Sequence, residues 1–459
     1  MEAPGRTEAA ETVGRLAWPR RLTEAPRQST ILIAVLALLA VAYWLGVFVV
    51  DHDSTRGHII GSDGLFYYEY LPSVFFDGDL DFSNQRAQLQ ADGVPYAWDF
   101  AATPTGLPGT DFPVGWALTT APFFALALII DKLLGLGIAE SQRGYGLFYE
   151  SITNFGAVCA GLVGCWFCYV LCRRETSDRV ALVVVLALLG CTALPYYIVV
   201  QPSMSHAVGF MAVAGAAMVA FEREKTLKDF IWLGVFAGLA FVTRPQLAPA
   251  LALLYLFVGL TDRRLKPLAT SVAVALPICA IQSAVWYVIY GSFFTVAQGD
   301  GFLQLSNPHI LDVLFSTRHG LFSWHPLLFI SMIALGFMSF RPPATDRHTR
   351  LMLWTCAVAV LVQVYLNAAV LDWWAGNSFG QRRFVDIYVF LVIPMAFLVQ
   401  AWWSRRVVII ITVVVLTLWN LLFMVQYRFC YIPRGEAITV SQLFLDKFAL
   451  YRVERPYCD

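Results

Sequence analysis

Residues 31–50 decide the fold: they read ILIAVLALLAVAYWLGVFVV and contain no charged side chain. A transmembrane helix needs about 20 mostly apolar residues, and this run has that length. Arginines precede it, at Arg15, Arg20, Arg21 and Arg27. The run exceeds the ~7–15 apolar residues of a secretion signal, and no small-residue cleavage site closes it. The sequence therefore predicts a first membrane span that is retained.

The composition of the whole chain extends this prediction. Of the 459 residues, 58% are hydrophobic and 14% are charged, and the mean hydropathy is +0.63. A soluble domain could not bury so much apolar surface, and a formal net charge of zero gives no reason to expect nucleic acid as a partner. We predict an all-α, polytopic transmembrane helical bundle of about 11–12 membrane helices. The candidate helices are roughly 31–50, 113–130, 147–172, 180–200, 205–221, 230–243, 246–260, 267–290, 321–340, 351–371, 384–402 and 407–425.

The connectors between these helices predict the orientation, because short cytoplasmic loops are rich in Lys and Arg. Five connectors are basic: 173–179, 222–229, 261–266, 341–350 and 403–406. Twelve crossings would place all five outside while the basic N-terminus stays inside. We therefore predict that the helix at 113–130, which is interrupted by Pro122, does not cross. The protein is then a multi-pass protein of the plasma (inner) membrane, with a cytoplasmic N-terminus and an extracytoplasmic C-terminus.

The predicted domain organisation follows from these spans. It comprises a disordered cytoplasmic tail at 1–29, a transmembrane domain at 30–425 with its first external loop at 51–112, and a short extracytoplasmic tail at 426–459. Cys430 and Cys458 lie in the last segment and could pair there. Cys165, Cys168 and Cys172 fall near one helix face, as metal ligands would, but buried cysteines are far more often small apolar residues. We predict the apolar role and no metal site.

The first external loop is acidic and aromatic, a composition that suits sugar binding. Residues 51–111 contain ten acidic residues and only two arginines. Residues 65–76 predict an amphipathic helix at the membrane surface, which includes Tyr67, Tyr68 and Glu69 as candidate acceptor or sugar contacts. Asp63 lies at the start of this helix. Its carboxylate could either cap the helix N-terminus or take part in catalysis.

Other external segments contain cations where the positive-inside bias disfavours them. Arg244 lies directly before a proline, at the break between two predicted helices. Further candidates for binding a donor phosphate are His206, Arg318, His319, Arg382 and Arg383. Arginine suits bidentate binding of phosphate, although such residues also extend to lipid headgroups. Trp373 and Trp374 lie just before Arg382 and are candidate sugar contacts. The sequence contains no Walker A loop, HExxH motif or GxSxG elbow, so nucleotide-driven transport and serine hydrolysis lack support.

These motifs, in this order, resemble the type C glycosyltransferase superfamily, which includes protein O-mannosyltransferases, oligosaccharyltransferases and aminoarabinose transferases. The resemblance covers about residues 31–425, and it rests on Gly61–Tyr68, Asp77–Phe82, Gly320–Pro326 and Trp373–Arg383. Many members have an acidic residue directly after the catalytic Asp, where this chain has Gly64. That difference leaves a divalent metal open, and no other cofactor is expected.

The resemblance implies an inverting transfer of sugar from a polyprenyl-phosphate donor to a glycan, lipid or protein acceptor outside the cytoplasm. Asp63 would be the catalytic base, and Arg244, with Arg318 or Arg382, would bind the donor phosphate. A transporter or flippase of lipid-linked glycans is the main alternative, since it also needs many helices and phosphate-binding arginines. Transporters often have repeated halves with matched broken helices, and this sequence shows no such repeat. A non-catalytic scaffold is the third hypothesis.

Overall fold

The structure, a computed structural model, describes residues 27–49, 57–94, 100–299 and 301–446. In these ranges every regular element is a helix, and the only β pairings are two isolated bridges, which confirms the predicted all-α class. Twelve helices of 13 or more residues lie in the described ranges. They are α1 (Arg27–Val49), α2 (Gly115–Leu134), α3 (Gly146–Glu175), α4 (Asp178–Cys191), α5 (His206–Ala220), α6 (Leu227–Thr243), α7 (Ala248–Thr261), α8 (Leu265–Tyr290), α9 (Pro326–Phe340), α10 (Arg347–Ala368), α11 (Val389–Ala401) and α12 (Arg406–Arg428).

Shorter helical segments join these elements. They are Asp63–Tyr68, Tyr70–Pro72, Ser73–Asp77, Ser83–Ala91, Ile138–Gln142, Tyr196–Val200, Pro245–Leu247, Ile310–Phe315, Leu321–Trp324, Arg382–Ile387, Trp403–Arg405 and Val440–Phe444. Every one of the twelve sequence-predicted membrane helices thus has a counterpart among α1–α12. Most boundaries are displaced by a few residues, but the helix predicted at 180–200 ends at Cys191 and is followed by the separate segment Tyr196–Val200.

Six of the described helices are long and apolar enough to cross a membrane: α1, α2, α3, α8, α10 and the segment Trp403–Arg428 that contains α12. Four shorter apolar helices, which contain α5, α7, α9 and α11, accompany them. The chain is therefore a multi-pass membrane protein. The helices differ in burial: almost every residue of α5 is buried, whereas only 11% of the most apolar window of Trp403–Arg428 is buried. An apolar helix that is exposed in this way must face lipid.

The helix boundaries have local chemical causes. The Ser177 side chain accepts a hydrogen bond from Val180 N at the start of α4, Thr226 forms a capping box with Asp229 before α6, and Asp346 caps α10. These side chains satisfy N–H groups that have no partner within the helix. All three caps lie in the basic connectors. Each of these helices therefore begins directly after a connector that contains both polar capping residues and charged residues.

The direction of the first helices bears on whether α2 crosses the membrane. Near one end of α1 the Ser29 hydroxyl lies 3.4 Å from Tyr169 Oη, and near the other end Tyr43 donates a 2.8 Å hydrogen bond to the Ser151 carbonyl. α1 and α3 are therefore antiparallel. If α1 and α3 both cross the membrane in opposite directions, the chain between them must cross an even number of times. This geometry agrees with the prediction that α2 makes no crossing, although α2 is long enough to make one.

The segment after Asp63 differs from its prediction. The helical turns predicted at 65–76 are present, but residues 64–73 are buried instead of lying on a surface. The Phe66 ring stacks on Phe112 at 5.2 Å and meets Phe100 edge-on. Tyr68 packs against Trp116 of α2. The segment after residue 100 and α2 therefore cover the aromatic face that the sequence indicated would contact lipid.

The cysteine predictions have different outcomes. Cys165, Cys168 and Cys172 are free, buried thiols within α3, as expected for small apolar residues. Cys430 is disulfide-bonded, and its predicted partner Cys458 lies outside the described residues. The predicted tail at 1–29 also lies outside them except for residues 27–29, so its disorder stays a prediction.

Candidate active site

Asp63 begins the first helical turn of the external loop and forms an ion pair with a distant arginine. Its Oδ2 lies 2.8 Å from Arg382 Nη2, and its Oδ1 accepts a 3.2 Å hydrogen bond from Ser62 Oγ. The Asp63 side chain is 21% exposed and that of Arg382 is 12% exposed. Both carboxylate oxygens are thus engaged in a half-buried pair that solvent, and therefore a substrate, can still reach.

The close packing around Gly64 explains why position 64, directly after Asp63, does not hold an acidic residue. A side-chain carbon at position 64 would collide with both side-chain atoms of Ser203. The backbone of the Asp63 turn therefore packs directly on the bend before α5. A second carboxylate at position 64 is excluded by this contact, so the pair of adjacent acids that many relatives have cannot form here.

Arg244 lies at the break between α6 and α7, where its extended backbone (φ −153°) ends α6 and Pro245 begins the next turn. Its Nη1 donates a 2.7 Å hydrogen bond to His206 Nδ1 and lies 3.4 Å from Asp386 Oδ2. The Asp386 side chain is fully buried, and that of Arg244 is 10% exposed. Burial raises the pKa of Asp386 to about 7, while the charge of Arg244 acts to lower it. Because the His206 nitrogen accepts from Arg244, the ionised form of Asp386 is the group that balances the buried positive charge.

Tyr67 connects the two clusters. Its phenol oxygen accepts a 3.0 Å hydrogen bond from Ser205 Oγ, next to His206. Burial raises the pKa of the Tyr67 phenol, and the nearby charges of Arg244, Asp63 and Arg382 act on it as well. Asp63, Tyr67, His206, Arg244 and Arg382 are thus brought together, although they span more than 300 positions of sequence. These five residues are called the reaction cluster below.

Arg382 keeps its charge in this setting. Burial acts to lower the Arg382 pKa, but the Asp63 carboxylate, together with Tyr197, Tyr67 and Asp372, raises it. The arginine also lies 3.7 Å from the Met204 sulfur. The neighbouring Arg383 has a different partner, because its Nη2 donates 2.6 and 2.7 Å hydrogen bonds to the two carboxylate oxygens of Asp372. Of the two adjacent arginines, only Arg382 contacts Asp63.

Arg318 and His319 form a separate group with Trp374. The Arg318 guanidinium stacks 4.0 Å from the Trp374 ring and donates a 2.6 Å hydrogen bond to the Gly435 carbonyl. His319 donates a 2.7 Å hydrogen bond to the Trp374 carbonyl, and burial lowers its pKa to about 4. These contacts hold the loop before α11 against the segment that follows α12.

The remaining sequence candidates have structural partners. Tyr68 is fully buried and donates a hydrogen bond to the Gly144 carbonyl. Glu69 is 1% exposed and pairs with Arg86 through 2.8 and 3.0 Å hydrogen bonds. Trp373 stacks on His309 at 5.8 Å. In the described state Tyr68 and Glu69 cannot be reached by an acceptor sugar.

Asp386 is the site residue that sequence reasoning missed, because it was counted within the span predicted at 384–402. A carboxylate inside a membrane helix is a candidate functional residue by default. That signal could have identified Asp386, whose carboxylate lies next to both Arg244 and His206. Ser205 carried no comparable signal. Within the described residues no group of three or more His, Cys, Asp or Glu is placed to hold a metal ion.

One protein family and several solved structures are similar to this chain. The family model of dolichyl-phosphate-mannose-protein mannosyltransferases matches residues 148–287, from α3 to α8. Among solved structures, ArnT from Cupriavidus metallidurans in the apo state matches with a TM-score of 0.53 at 14% identity, over 89% of this chain and 67% of ArnT. The protein has the type C glycosyltransferase fold. The resemblance inferred from sequence is therefore confirmed.

A second ArnT structure gives the same fold with a lipid present. ArnT bound to undecaprenyl phosphate matches with a TM-score of 0.52 at 14% identity, over 88% of this chain and 71% of ArnT. No curated protein sequence matches the chain. The family whose model matches is one of mannosyltransferases, which agrees with the enzyme class predicted from sequence.

Proposed function

We propose that the protein is an inverting glycosyltransferase that moves a sugar from a polyprenyl-phosphate carrier to an acceptor on the extracytoplasmic face. The observation that carries the proposal is the half-buried Asp63–Arg382 pair, with Arg244 close by. Direct displacement from a sugar phosphate requires a base for the acceptor and a cation that stabilises the leaving group, and this cluster supplies one carboxylate and two guanidiniums. The undecaprenyl phosphate bound by ArnT supports a lipid carrier of this class.

In this mechanism Asp63 accepts the proton of the acceptor hydroxyl as its oxygen attacks the anomeric carbon. The bond between that carbon and the phosphate oxygen breaks on the opposite side, so the configuration inverts. A positioned general base contributes about 10²–10⁴-fold to such a reaction. One of the two hydrogen bonds that Asp63 now accepts must open before the acceptor hydroxyl can take its place.

Arg382 and Arg244 stabilise the polyprenyl phosphate as it leaves with an additional negative charge. Fixed cations in a partly dry site are effective here because they need little reorganisation when charge develops. Arg382 has a second role in this scheme. A bound phosphate would draw its guanidinium away from Asp63, which couples release of the base to arrival of the donor.

His206 and Asp386 act on Arg244 and not on the substrate. Asp386 compensates the arginine charge at 3.4 Å, and His206 accepts one of its N–H groups at 2.7 Å. Together they fix the direction of the remaining N–H groups. Arg318, His319, Arg383, Trp373 and Trp374 stay proposed as donor or acceptor contacts that would require movement of the loop around them.

A strain that lacks the gene provides the first test. It is complemented with wild-type protein or with Asp63→Asn, and the cell-envelope lipids and glycans are compared by mass spectrometry. We expect the deletion and Asp63→Asn strains to lose one glycosylated product and to accumulate its polyprenyl-phosphate sugar. Full restoration of the product by Asp63→Asn would contradict the proposal. A transporter that does not use Asp63 chemically predicts that restoration.

A further inference from the structure

A cavity separate from the reaction cluster lies where α1 ends. It has a volume of about 640 Å³, and it is bounded by the last turns of α1, by the helix Ser83–Ala91 and by the segment 138–152. Pockets that bind small molecules usually measure about 300–1,000 Å³. Because α1 is an apolar helix of membrane-spanning length, its end marks the height at which lipid headgroups meet water.

The lining of this cavity is divided by polarity. Trp44 and Phe48 of α1, together with Leu147 and Phe148 of α3, form an apolar part, and Phe48 is 74% exposed toward the surroundings of α1. Gln88, Asp92, Ser141 and Gln142 form a polar part. A site with these two parts at headgroup height fits an amphiphile that keeps its chains in the membrane.

The charges of the cavity favour a particular kind of headgroup. His58 lines the cavity and donates a 2.6 Å hydrogen bond to the buried Glu150. Burial acts to lower the pKa of His58, but the hydrogen bonds and charges of Glu150 and Asp92 together raise it. Glu150 is thus balanced by His58, and it also accepts from the backbone of Ile59 and Ile60.

Asp92 supplies the remaining charge. Its carboxylate lies 3.5 Å from the outer nitrogen of His58 and its side chain is 43% exposed. Among the described residues, no lysine or arginine lines the cavity. The described polar part therefore carries a net negative charge and several acceptor oxygens, which repel a phosphate and favour hydroxyl donors.

An aromatic wall separates this cavity from the reaction cluster. The buried Tyr145 ring lies 6.2 Å from His58 on one side and 5.5 Å from Tyr68 on the other. The residue after Tyr68 is Glu69, which forms the buried ion pair with Arg86. The cavity is therefore not an extension of the site that holds Asp63.

We propose that this cavity binds the headgroup of an uncharged, hydroxyl-bearing membrane lipid, of which a glycosylated diacylglycerol is the simplest example. The site uses Asp92, Gln88, Gln142 and Ser141 for the headgroup and the exposed end of α1 for the chains. It is independent of the transfer reaction, so it can be tested before any substrate of that reaction is known.

The test is native mass spectrometry of the purified full-length protein with monoglucosyl-diacylglycerol and phosphatidylglycerol of the same acyl chains, in direct competition. We expect wild-type protein to retain the glucolipid about fivefold or more over phosphatidylglycerol, the factor that one net hydrogen bond provides. Asp92→Lys should reverse the preference, and Ser141→Trp, which fills the cavity, should abolish it.

Two matched variants control for general effects on charge and bulk. Asp312→Lys changes an acid that is 53% exposed and outside the cavity, and Leu136→Trp enlarges a side chain that is 46% exposed and not in the lining. Both should retain the wild-type preference. Equal retention of the two lipids by wild-type protein, or a preference for phosphatidylglycerol, overturns the proposal without any recourse to the variants. Wild-type preference in Ser141→Trp overturns it as well.

Discussion

At the residue scale, the carboxylate of Asp63 is fully engaged before a substrate arrives, with Arg382 on one oxygen and Ser62 on the other. A helix cap was the alternative role for this residue. Ser62, not Asp63, occupies the cap position, and it makes no capping hydrogen bond through its side chain. The contacts of Asp63 reach across the fold to Arg382, which favours the catalytic role.

The role of Arg244 can be tested by changing its shape separately from its charge. Arg244→Ala should lower the rate of sugar transfer by about 10- to 100-fold, the effect of losing a hydrogen bond to a charged group. Arg244→Lys should recover only part of the rate because it lacks the forked donors. Transfer assays on purified variants measure both, and Arg347→Lys, an exposed arginine of the basic connector at 341–350, is the control. Full turnover in Arg244→Ala would remove Arg244 from the mechanism.

Asp386 is expected to act through Arg244. Asp386→Asn removes the charge that balances the arginine, so it should raise the KM for the lipid donor more than it lowers kcat. The double variant with Arg244→Ala should be little worse than Arg244→Ala alone, because residues that share one interaction are not additive. A kinetic double-mutant cycle measures this coupling. Additive effects would show that Asp386 acts independently of Arg244.

At the element scale, the buried Glu69–Arg86 pair anchors the first external loop. The Arg86 guanidinium lies 4.9 Å from the Phe100 ring and 5.4 Å from that of Phe66, and it also donates to the Gly109 carbonyl. One side chain therefore holds both ends of the loop together. The sequence indicated Glu69 as a sugar contact. Its acidic, aromatic surroundings suit either a sugar contact or a buried ion pair, and only the fold decides between these two roles.

Breaking this pair should destabilise the loop. Glu69→Gln leaves a buried arginine without a counter-charge and should cost roughly 3 kcal/mol or more. Glu69→Gln combined with Arg86→Met removes both charges and should recover much of that loss. Thermal unfolding of the purified variants, with hydrogen exchange on residues 57–94, measures the effect. Wild-type stability in Glu69→Gln would mean that the pair contributes little.

The helices were more predictable than the contacts between them. Apolar run length and basic connectors located all twelve long helices, since both signals are local. The amphipathic surface helix at 65–76 was assigned to the wrong environment because the residues that bury it, Phe100, Phe112 and Trp116, are distant in sequence. For the same reason the sequence suggested both Arg382 and Arg383, and only the fold distinguishes the arginine paired with Asp63 from the one paired with Asp372.

At the scale of the whole molecule, the orientation in the membrane is the prediction with the widest consequences. The basic connectors predict that Asp63 is extracytoplasmic, and the antiparallel α1 and α3 agree with the number of crossings that this prediction assumes. Cysteine labelling from each side of sealed vesicles can test it. Ala87→Cys in the first loop should react from outside and Lys228→Cys from the cytoplasmic side, and both positions are exposed. Labelling of both from the same side would reject the arrangement.

The reaction cluster is assembled from three widely separated parts of the chain: the first loop, the turns next to α5 and α6, and the segment before α11. Each part contributes charges that would be costly alone at membrane depth. Their convergence at one place explains why the unusual cations of the sequence occur where the positive-inside bias disfavours them. It also makes Asp63 the residue on which the functional proposal depends most.

Sugar transfer by purified Asp63→Asn protein in nanodiscs is the most direct test, with the donor taken from the lipid that accumulates in the deletion strain. The substitution nearly preserves shape but removes the proton acceptor. We predict a loss of about 10²-fold or more. Asp81→Asn changes an acid of the same loop whose side chain accepts hydrogen bonds from Ser83, and this variant should stay fully active. Wild-type turnover in Asp63→Asn would contradict the account.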